Sequence, residues 1–434
     1  MNRLTRNNNN QYNLTIAKKE QKTSNQELNF LHEISKYRRI DAPYLIVTLI
    51  LVSFGLIMLF SASMSTSFAT QGDNSKHYFI RQIGFSAIGL SIGLVIANFV
   101  DIQFFRKRIF YKIAYVVTSL LLLLVFAMGK EQLGATRWLS IAGIGFQPSE
   151  LAKFMAVFVL AGYFSEMQSL ELKAKYRNKS KSQQFWYEGR VKFLYPVILV
   201  GIWFFLILIQ PHLSGAIIFA MICLAVFLAA RIPWRSWLSG LIQLLPVLLV
   251  LILISTLLFP LIRDGQSLPD FVISKFAHSA ERIETFEDDS AVSADQSYQT
   301  RQAEITMGSG GLTGVGLGQG RQKYNYLPQI HNDYIFPAIA EELGYIGTMT
   351  VMILFAIQFI LGVKITLKTS SLFACLISWG YVFLIIIQVI LNVGVATKVI
   401  PATGITLPFF SYGGTSNIIF LVEVGMILCI SKSG

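Results

Sequence analysis

Apolar residues occur along this chain in runs of about 17 to 25, the length of helix that crosses the hydrocarbon core of a bilayer. Short polar segments separate the runs. The pattern predicts an all-α polytopic membrane protein with ten transmembrane helices, at residues 44–63, 80–100, 112–128, 148–164, 193–209, 213–230, 239–261, 333–363, 371–391 and 414–431. Only the residues QPHL separate the fifth run from the sixth, so these two boundaries are the least well defined.

Two long segments of the chain are polar. Residues 1–43 contain an asparagine run at positions 7–10 and predict a disordered cytoplasmic tail, and we expect no secretory signal peptide before the first helix. Residues 44–431 then form the transmembrane domain. This domain includes one large extracytoplasmic loop, residues 262–332, between helices 7 and 8.

Composition supports a membrane protein, since 53% of the residues are hydrophobic and 14% are charged, whereas about a quarter are charged in soluble domains. The net charge of +12 does not indicate nucleic-acid binding, because the basic residues concentrate in the tail and in alternate turns. Seven of them lie between Lys173 and Lys192. This positive-inside bias places the N-terminus in the cytoplasm and the basic side chains near anionic lipid headgroups. Cys223, Cys375 and Cys429 all fall in apolar runs and predict small buried side chains.

Three segments predicted on the outer side contain residues suited to ligand binding or catalysis, and they could converge on one site. The first contains Arg137 and Trp138, which could equally be a snorkelling side chain and an interfacial anchor. The second is the glycine-rich end of the large loop, which contains Arg321 and Lys323. Its glycines do not have the GxGxxG or Walker spacing of nucleotide-binding loops. The segment is either flexible or presents backbone N–H groups to an anion. The third contains Ser411, Tyr412 and Gly413 in a helix-breaking stretch at membrane depth.

Three acids enter the eighth predicted helix at different depths. Asn332 or Asp333 is expected to cap the N-terminus of this helix, so Asp333 would lie at the membrane boundary beside His331. A carboxylate in this position suits either helix capping or general-base catalysis. Glu341 and Glu342 lie about 12–14 Å deeper and need partners. The fourth helix offers Glu150 and Lys153 on one face, and a structural ion pair from Lys153 to Glu341 or Glu342 is the predicted arrangement.

The motifs from about Tyr44 to Ile430 resemble those of the shape, elongation, division and sporulation family of peptidoglycan glycosyltransferases, and the FtsW branch more than the RodA branch. The similarity lies in the stretches GATRW, FQPSELAK, GSGGLTGVGLGQGRQKYNYLP, HNDYIFPAIAEELGYIG and TGITLPFFSYGGTSN. The resemblance implies polymerisation of lipid II into β-1,4 glycan at the outer face of the bacterial inner membrane. It also implies a class B penicillin-binding protein as transpeptidase partner, together with other divisome proteins.

The same resemblance assigns roles to residues. Asp333 takes the position of the family's essential acid and is expected to deprotonate the attacking hydroxyl. Arg137, Arg321, Lys323 and Lys153 would balance the pyrophosphate charge, and Trp138, His331 and the segment from Ser411 to Gly413 would line the substrate site. A divalent cation such as Mg²⁺ could assist, although no metal-ligand cluster is visible in the sequence.

The chain departs from the family pattern at three positions. Gln329 and Asn332 replace a Glu and a Thr near Asp333, and His212 stands where an Asp is expected. A lipid II flippase, which would depend on the buried acids and Lys153 rather than on Asp333, remains an alternative. A RodA-type elongation polymerase and a scaffold that only recruits the transpeptidase are further alternatives.

Overall fold

The architecture comes from a computed structural model, which describes residues 40–70, 74–132, 135–141, 144–168, 180–210, 212–262, 294–324, 326–401 and 404–432. The helices are α1 Ala42–Thr70, α2 His77–Phe99, α3 Arg108–Met128, α4 Pro148–Met167, α5 Lys181–Gly189, α6 Tyr195–Ile209, α7 Leu213–Ala229, α8 Trp234–Ile262, α9 Ala294–Ser309, α10 Ile335–Lys368, α11 Leu372–Ala396 and α12 Gly414–Ser431. A 3₁₀ helix, Ile102–Arg106, precedes α3, and a π-helical turn, Arg190–Leu194, joins α5 to α6.

A helix covers each of the ten predicted segments, so the apolar runs correctly predicted an all-α membrane protein. In the described part of the chain, seven continuous helical segments are long and apolar enough to cross a bilayer, and α7 and the start of α8 are shorter apolar helices. That all ten segments cross the membrane stays a prediction. The predicted tail lies outside the described residues, except for its last positions. The large loop contains α9, which the sequence pattern did not predict.

Helices α11 and α12 form the centre of the helical assembly. Within an apolar stretch of 18 residues from each helix, 67% of the residues are buried in α11 and 61% in α12, against 28% in α2 and 22% in α3. The outer helices therefore face lipid over most of their surface. This arrangement explains why α2 and α3 expose many large apolar side chains while the polar residues of the central helices lie inside.

A small antiparallel sheet connects α3 to α4, and it departs from the purely helical prediction. Its strands are β1 Lys130–Gln132, β2 Ala135–Ile141 and β3 Ile144–Phe146, in the order β1-β2-β3. Trp138 pairs with Lys130, and Leu139 pairs with Phe146. Strands of three to seven residues are too short to give a clear alternating pattern, which is why the sequence indicated only a loop here.

Helix α10 is broken near its start. Gly344 has φ 66° and ψ −166°, a conformation that interrupts the helical hydrogen-bond ladder and that residues with a side chain rarely adopt. The backbone N–H and C=O groups that have no helical partner at this break form hydrogen bonds to the glycine-rich loop. On one side of the break, the loop donates: the N–H groups of Val315 and Gly316 bond to the carbonyls of Glu341 and Glu342. On the other side, the helix donates: the N–H groups of Tyr345 and Ile346 bond to the carbonyls of Gly311 and Leu312. The loop is therefore part of the helical framework.

Candidate active site

Asp333 lies in the turn that enters α10, at the end of this helix assigned to the outer side. The expected capping role is wrong for both candidates, because the residue at the N-cap is Tyr334 and no side chain caps the helix. The Asp333 carboxylate is partly exposed. Its Oδ2 lies against the backbone of Gly404, where an added Cβ would be 3.3 Å from that oxygen. A carboxylate that does not cap the helix and that reaches a surface is positioned to act on a ligand.

Asn392 of α11 holds the backbone around this carboxylate. Its side-chain Nδ2 donates to the carbonyl of Asp333 at 2.9 Å and to the carbonyl of Ile405 at 2.6 Å. Asn392 is itself buried. One amide group therefore fixes the Asp333 turn to the segment 404–413, which was predicted to lie nearby.

The start of α2 forms a wall of the same site. The ring of Tyr78 stacks on His331, with 4.9 Å between ring centroids, and meets the ring of Tyr412 edge-on at 4.9 Å. Gln82 is fully buried; its Nε2 donates to the carbonyl of Ser411, and its Oε1 accepts from the N–H of Gly413. Aromatic rings and hydrogen bonds thus join three separate parts of the chain around Asp333.

Arg81 contributes positive charge to this region, whereas His331 does not. Burial lowers the pKa of His331 to about 4, so the imidazole is neutral at pH 7. Burial also raises the pKa of the Tyr412 hydroxyl, and the nearby guanidinium of Arg81 opposes that rise. Arg81 is exposed. The site therefore combines a carboxylate, a neutral histidine, a phenol and an accessible cation.

Ser411 and Gly413 organise the loop from within. The Ser411 hydroxyl accepts the N–H of Leu407 at 2.8 Å and donates to the carbonyl of Asn332 at 2.6 Å. The N–H of Tyr412 donates to the carbonyl of His331 at 2.9 Å. Ser411 is buried. These contacts use the hydroxyl of Ser411 inside the protein, so its role in the site is to shape the loop around Asp333.

Glu341 and Glu342 bind the glycine-rich loop instead of a second transmembrane helix. The carboxylate of Glu341 accepts the N–H groups of Arg321 and Gln322, at 2.8 and 3.3 Å. The carboxylate of Glu342 accepts the N–H groups of Gly318 and Gly320, at 2.9 and 3.4 Å. The predicted anion-binding backbone therefore exists, but the anions that occupy these N–H groups are the protein's own side chains.

Lys323 completes this buried cluster. Its Nζ lies 2.9 Å from Glu342 Oε1 and also donates to the carbonyl of Gly318 and the hydroxyl of Ser61. Both charged side chains are 2% exposed. Because Ser61 belongs to α1, the cluster ties the loop to α1 and α10. Lys323 thus serves the loop structure, and the predicted contact with pyrophosphate is not accessible to it in this conformation.

The predicted pairing of Lys153 with Glu341 or Glu342 is wrong. Lys153 pairs within its own helix, with 2.7 Å between its Nζ and Glu150 Oε2, and its side chain is 3% exposed. Glu423 of α12, fully buried, also acts electrostatically on this pair. The i, i+3 spacing made the intrahelical pair available, whereas the glycine-rich loop occupies the space beside the deeper acids.

The remaining predicted site residues lie in the small sheet and in the glycine-rich loop. Trp138 is partly buried, and its ring packs under Gly145 of β3, which itself packs toward α12. Arg137 lies in β2, and its side chain lies outside the described residues. Arg321 is exposed beside the glycine-rich loop. The structure therefore brings Asp333, His331, Tyr412 and Gly413 together, while Lys153 and Lys323 are buried in ion pairs with other acids.

The three departures from the family pattern make local contacts. Asn332 donates from its side-chain amide to Gln329 Oε1, so two of the replaced residues contact each other. His212 lies at the start of α7, and its Nδ1 is 3.2 Å from Ser149 Oγ and 3.5 Å from Gln147 Nε2. His212 thereby joins the start of α7 to the start of α4.

A divalent cation finds no ready site. Among the described residues, no group of three or more His, Cys, Asp or Glu side chains could hold a metal ion. The described residues around Asp333 therefore do not form a resident Mg²⁺ site.

Sequence reasoning missed four residues of the site: Tyr78, Arg81, Gln82 and Asn392. A signal existed for two of them, because Gln82 and Asn392 are polar residues inside apolar runs, and such residues face the protein interior. Nothing in the local pattern pointed to Tyr78. Tyr78 belongs to the site only because α2 packs beside the segment 404–413 in the folded protein.

Comparisons with known proteins identify the family of this chain. The family model for FtsW, RodA and SpoVE, described as cell cycle protein, matches residues 42–434. A probable peptidoglycan glycosyltransferase FtsW from Coxiella burnetii is 34% identical over 396 residues, which cover 90% of this chain and 96% of that protein. Stage V sporulation protein E from Bacillus subtilis is 32% identical and covers 90% of this chain and 97% of that protein. These matches confirm the resemblance drawn from the motifs.

Solved structures share the fold. A chain of a peptidoglycan synthase complex in which polymerization and crosslinking are coordinated is 24% identical, with a TM-score of 0.64 over 90% of this chain and 97% of that chain. The rod shape determining protein RodA from Thermus thermophilus is 23% identical, with a TM-score of 0.58 over 91% of this chain and 97% of that one. The similarity extends over nearly the whole helical domain.

Proposed function

The chain belongs to the FtsW, RodA and SpoVE family of cell cycle proteins, and on this premise we propose that it is a peptidoglycan glycosyltransferase of septal cell-wall synthesis. Its substrate is lipid II, which it polymerises into β-1,4 glycan at the outer face of the inner membrane. We further propose that the chain crosses the membrane ten times from a cytoplasmic N-terminus, so that the Asp333 site faces outward. A class B penicillin-binding protein and other divisome proteins are its partners.

The observation that carries the proposal is the setting of Asp333. Its carboxylate does not cap α10 and lies against the backbone of Gly404, while Asn392 holds the turn in place. A general base must approach the proton it removes within hydrogen-bonding distance, which requires a fixed and accessible carboxylate. The Asp333 turn meets both requirements.

In the reaction, the 4-hydroxyl of one lipid II attacks the anomeric carbon of another and a new C–O bond forms with inversion. Asp333 accepts the proton of the attacking hydroxyl. The bond from the anomeric carbon to the lipid pyrophosphate breaks, and the electron pair leaves with the pyrophosphate oxygen. Negative charge grows on that oxygen, so cations near it lower the barrier.

Arg81 is the cation that we assign to the leaving pyrophosphate. It is exposed and lies close to Tyr412, whereas Lys323 and Lys153 are buried in ion pairs. Arginine also forms bidentate hydrogen bonds to phosphate groups. Arg137 and Arg321 remain candidates for the more distant parts of lipid II.

The test is polymerisation of purified lipid II by this protein together with its transpeptidase partner, read as glycan chains on a gel. We expect wild type to produce polymer and Asp333→Asn to produce none, because asparagine cannot accept the proton. Glu304→Gln is the matched control, an exposed outer carboxylate on α9. We expect it to behave as wild type.

Polymer from a folded Asp333→Asn variant would refute the assignment of the base. Transport of lipid II by a wild type that makes no polymer with the partner present would favour the flippase. Retained biological activity of Asp333→Asn in dividing cells would favour the scaffold.

A further inference from the structure

An apolar groove runs between α7 and α11 on the lipid-facing side of the protein, away from the Asp333 site. Its volume is about 380 Å³, which is within the range of pockets that hold small ligands. Its lining includes Met221, Leu224, Ala225 and Leu228 of α7, with Trp379 and Phe383 of α11. Leu224 and Leu228 are 51% and 64% exposed, so the groove opens to the surrounding membrane.

The groove reaches a depth that matches one leaflet. Phe383 lies eleven residues into α11, about 16 Å from the start of the helix, and Met221 lies about 12 Å from the end of α7. Half of a bilayer core is about 15 Å thick. An acyl chain of the inner leaflet therefore fits along it.

Basic residues lie at the cytoplasmic mouth of the groove. Arg231 lies two residues after the end of α7 and is exposed. It acts electrostatically on Cys375, which lies one turn of α11 before Trp379. Trp234 and Arg235 at the start of α8 are exposed as well. An interfacial tryptophan beside arginines is typical of the headgroup level of a membrane.

The backbone of Arg231 and a hydrogen bond of Trp379 give two further indications that the groove is a binding site. Arg231 has φ 52°, a left-handed conformation that glycine usually adopts after a helix, so its side chain is retained at some conformational cost. The indole of Trp379 donates to the carbonyl of Ala225 at 3.2 Å, which fixes the ring as one wall of the groove. The groove is thus held in shape without a ligand.

We propose that this groove binds an anionic phospholipid of the inner leaflet, with one acyl chain between α7 and α11 and the phosphate on Arg231. The bound lipid would fill the surface between α7 and the central helix α11. This proposal is independent of the glycosyltransferase reaction.

Native mass spectrometry of the full-length protein tests the proposal, with 1-palmitoyl-2-oleoyl phosphatidylglycerol and phosphatidylcholine of the same chains as probes. We expect wild type to retain phosphatidylglycerol in preference to phosphatidylcholine. Arg231→Gln should weaken retention of phosphatidylglycerol about fivefold, the effect of one basic residue near an anionic surface. Leu228→Trp should reduce binding of both lipids by filling the groove, and it replaces an exposed apolar residue, so folding is retained.

Matched controls are Arg106→Gln, at another exposed cytoplasmic arginine, and Ile217→Trp, at an exposed position of α7 outside the groove. Both should bind the lipids as wild type does. Equal retention of the two lipids by wild type, or unchanged retention by Arg231→Gln, would overturn the proposal. Displacement of phosphatidylglycerol by equimolar undecaprenyl pyrophosphate, or capture of a polypeptide by a photo-crosslinker at position 228 in cells, would assign the groove to a different occupant.

Discussion

The buried pair of Lys323 and Glu342 gives the sharpest test of how the glycine-rich loop is held. Lys323→Met removes the cation and keeps an apolar stem of similar length. The carboxylate of Glu342 then keeps Ser61 and two backbone N–H groups but loses its opposite charge. Because both side chains are 2% exposed, water cannot replace the lost interaction. Removing one partner of such a pair costs about 3–5 kcal/mol.

A surface pair in the same protein is the matched control. Arg108 and Glu166 lie 3.3 Å apart with side chains 65% and 37% exposed. An exposed pair of this kind contributes about 0–1 kcal/mol. Arg108→Met should therefore leave thermal stability in detergent almost unchanged, while Lys323→Met lowers the unfolding temperature by several degrees.

The double variant Lys323→Met, Glu342→Gln separates structure from substrate binding. Neutralising both groups removes the uncompensated charge, so we expect it to recover much of the stability lost in the single variant. Hydrogen exchange of residues 310–323 should rise in the single variant and fall back in the double variant. Polymerisation of lipid II should follow stability if Lys323 only holds the loop.

Two outcomes would refute this reasoning. The first is a Lys323→Met variant that loses no more stability than Arg108→Met, which would mean that the pair is not buried as described. The second is a double variant that regains stability but makes no glycan, which would restore Lys323 to the substrate site.

Two further predictions concern backbone packing and pH. Gly310→Ala should lower the unfolding temperature and slow polymerisation, because its Cβ would lie 1.9 Å from the carbonyl oxygen of Ala340, whereas Gly308→Ala, with no atom within 4 Å, should be tolerated; equal effects of the two would contradict the close packing of the loop on α10. The folded pKa of His331 is about 4 against an ordinary value of 6.5, so its contribution to stability is complete above pH 6.5 and is lost as the pH falls towards 4. The loss should reach about 3 kcal/mol, measured as a steeper fall in unfolding temperature from pH 7 to pH 4.5 for wild type than for His331→Gln; parallel curves would show that the imidazole is not buried neutral.

The helices and the main catalytic candidate could be predicted from the sequence because both depend on local patterns. A run of about 20 apolar residues must form a helix in a bilayer, since every backbone N–H and C=O group needs a partner within the segment. Asp333 stood out because it is a charged residue at the edge of such a run, within a recognisable motif. The sheet between α3 and α4 and the helix α9 escaped notice because their patterns are short and polar.

Which charges meet was decided by tertiary structure alone. Lys153, Glu341 and Glu342 suggested an ion pair and Lys323 a contact with pyrophosphate, but sequence spacing can predict a partner only on the same helix, as for Lys153 and Glu150. The partner of Glu342 comes from a loop that folds against the break at Gly344, and the wall of the Asp333 site comes from α2, about 250 residues away in the chain. Hydrophobicity thus determines which segments enter the membrane, whereas the loop path and the packing of α2 determine which polar groups surround Asp333.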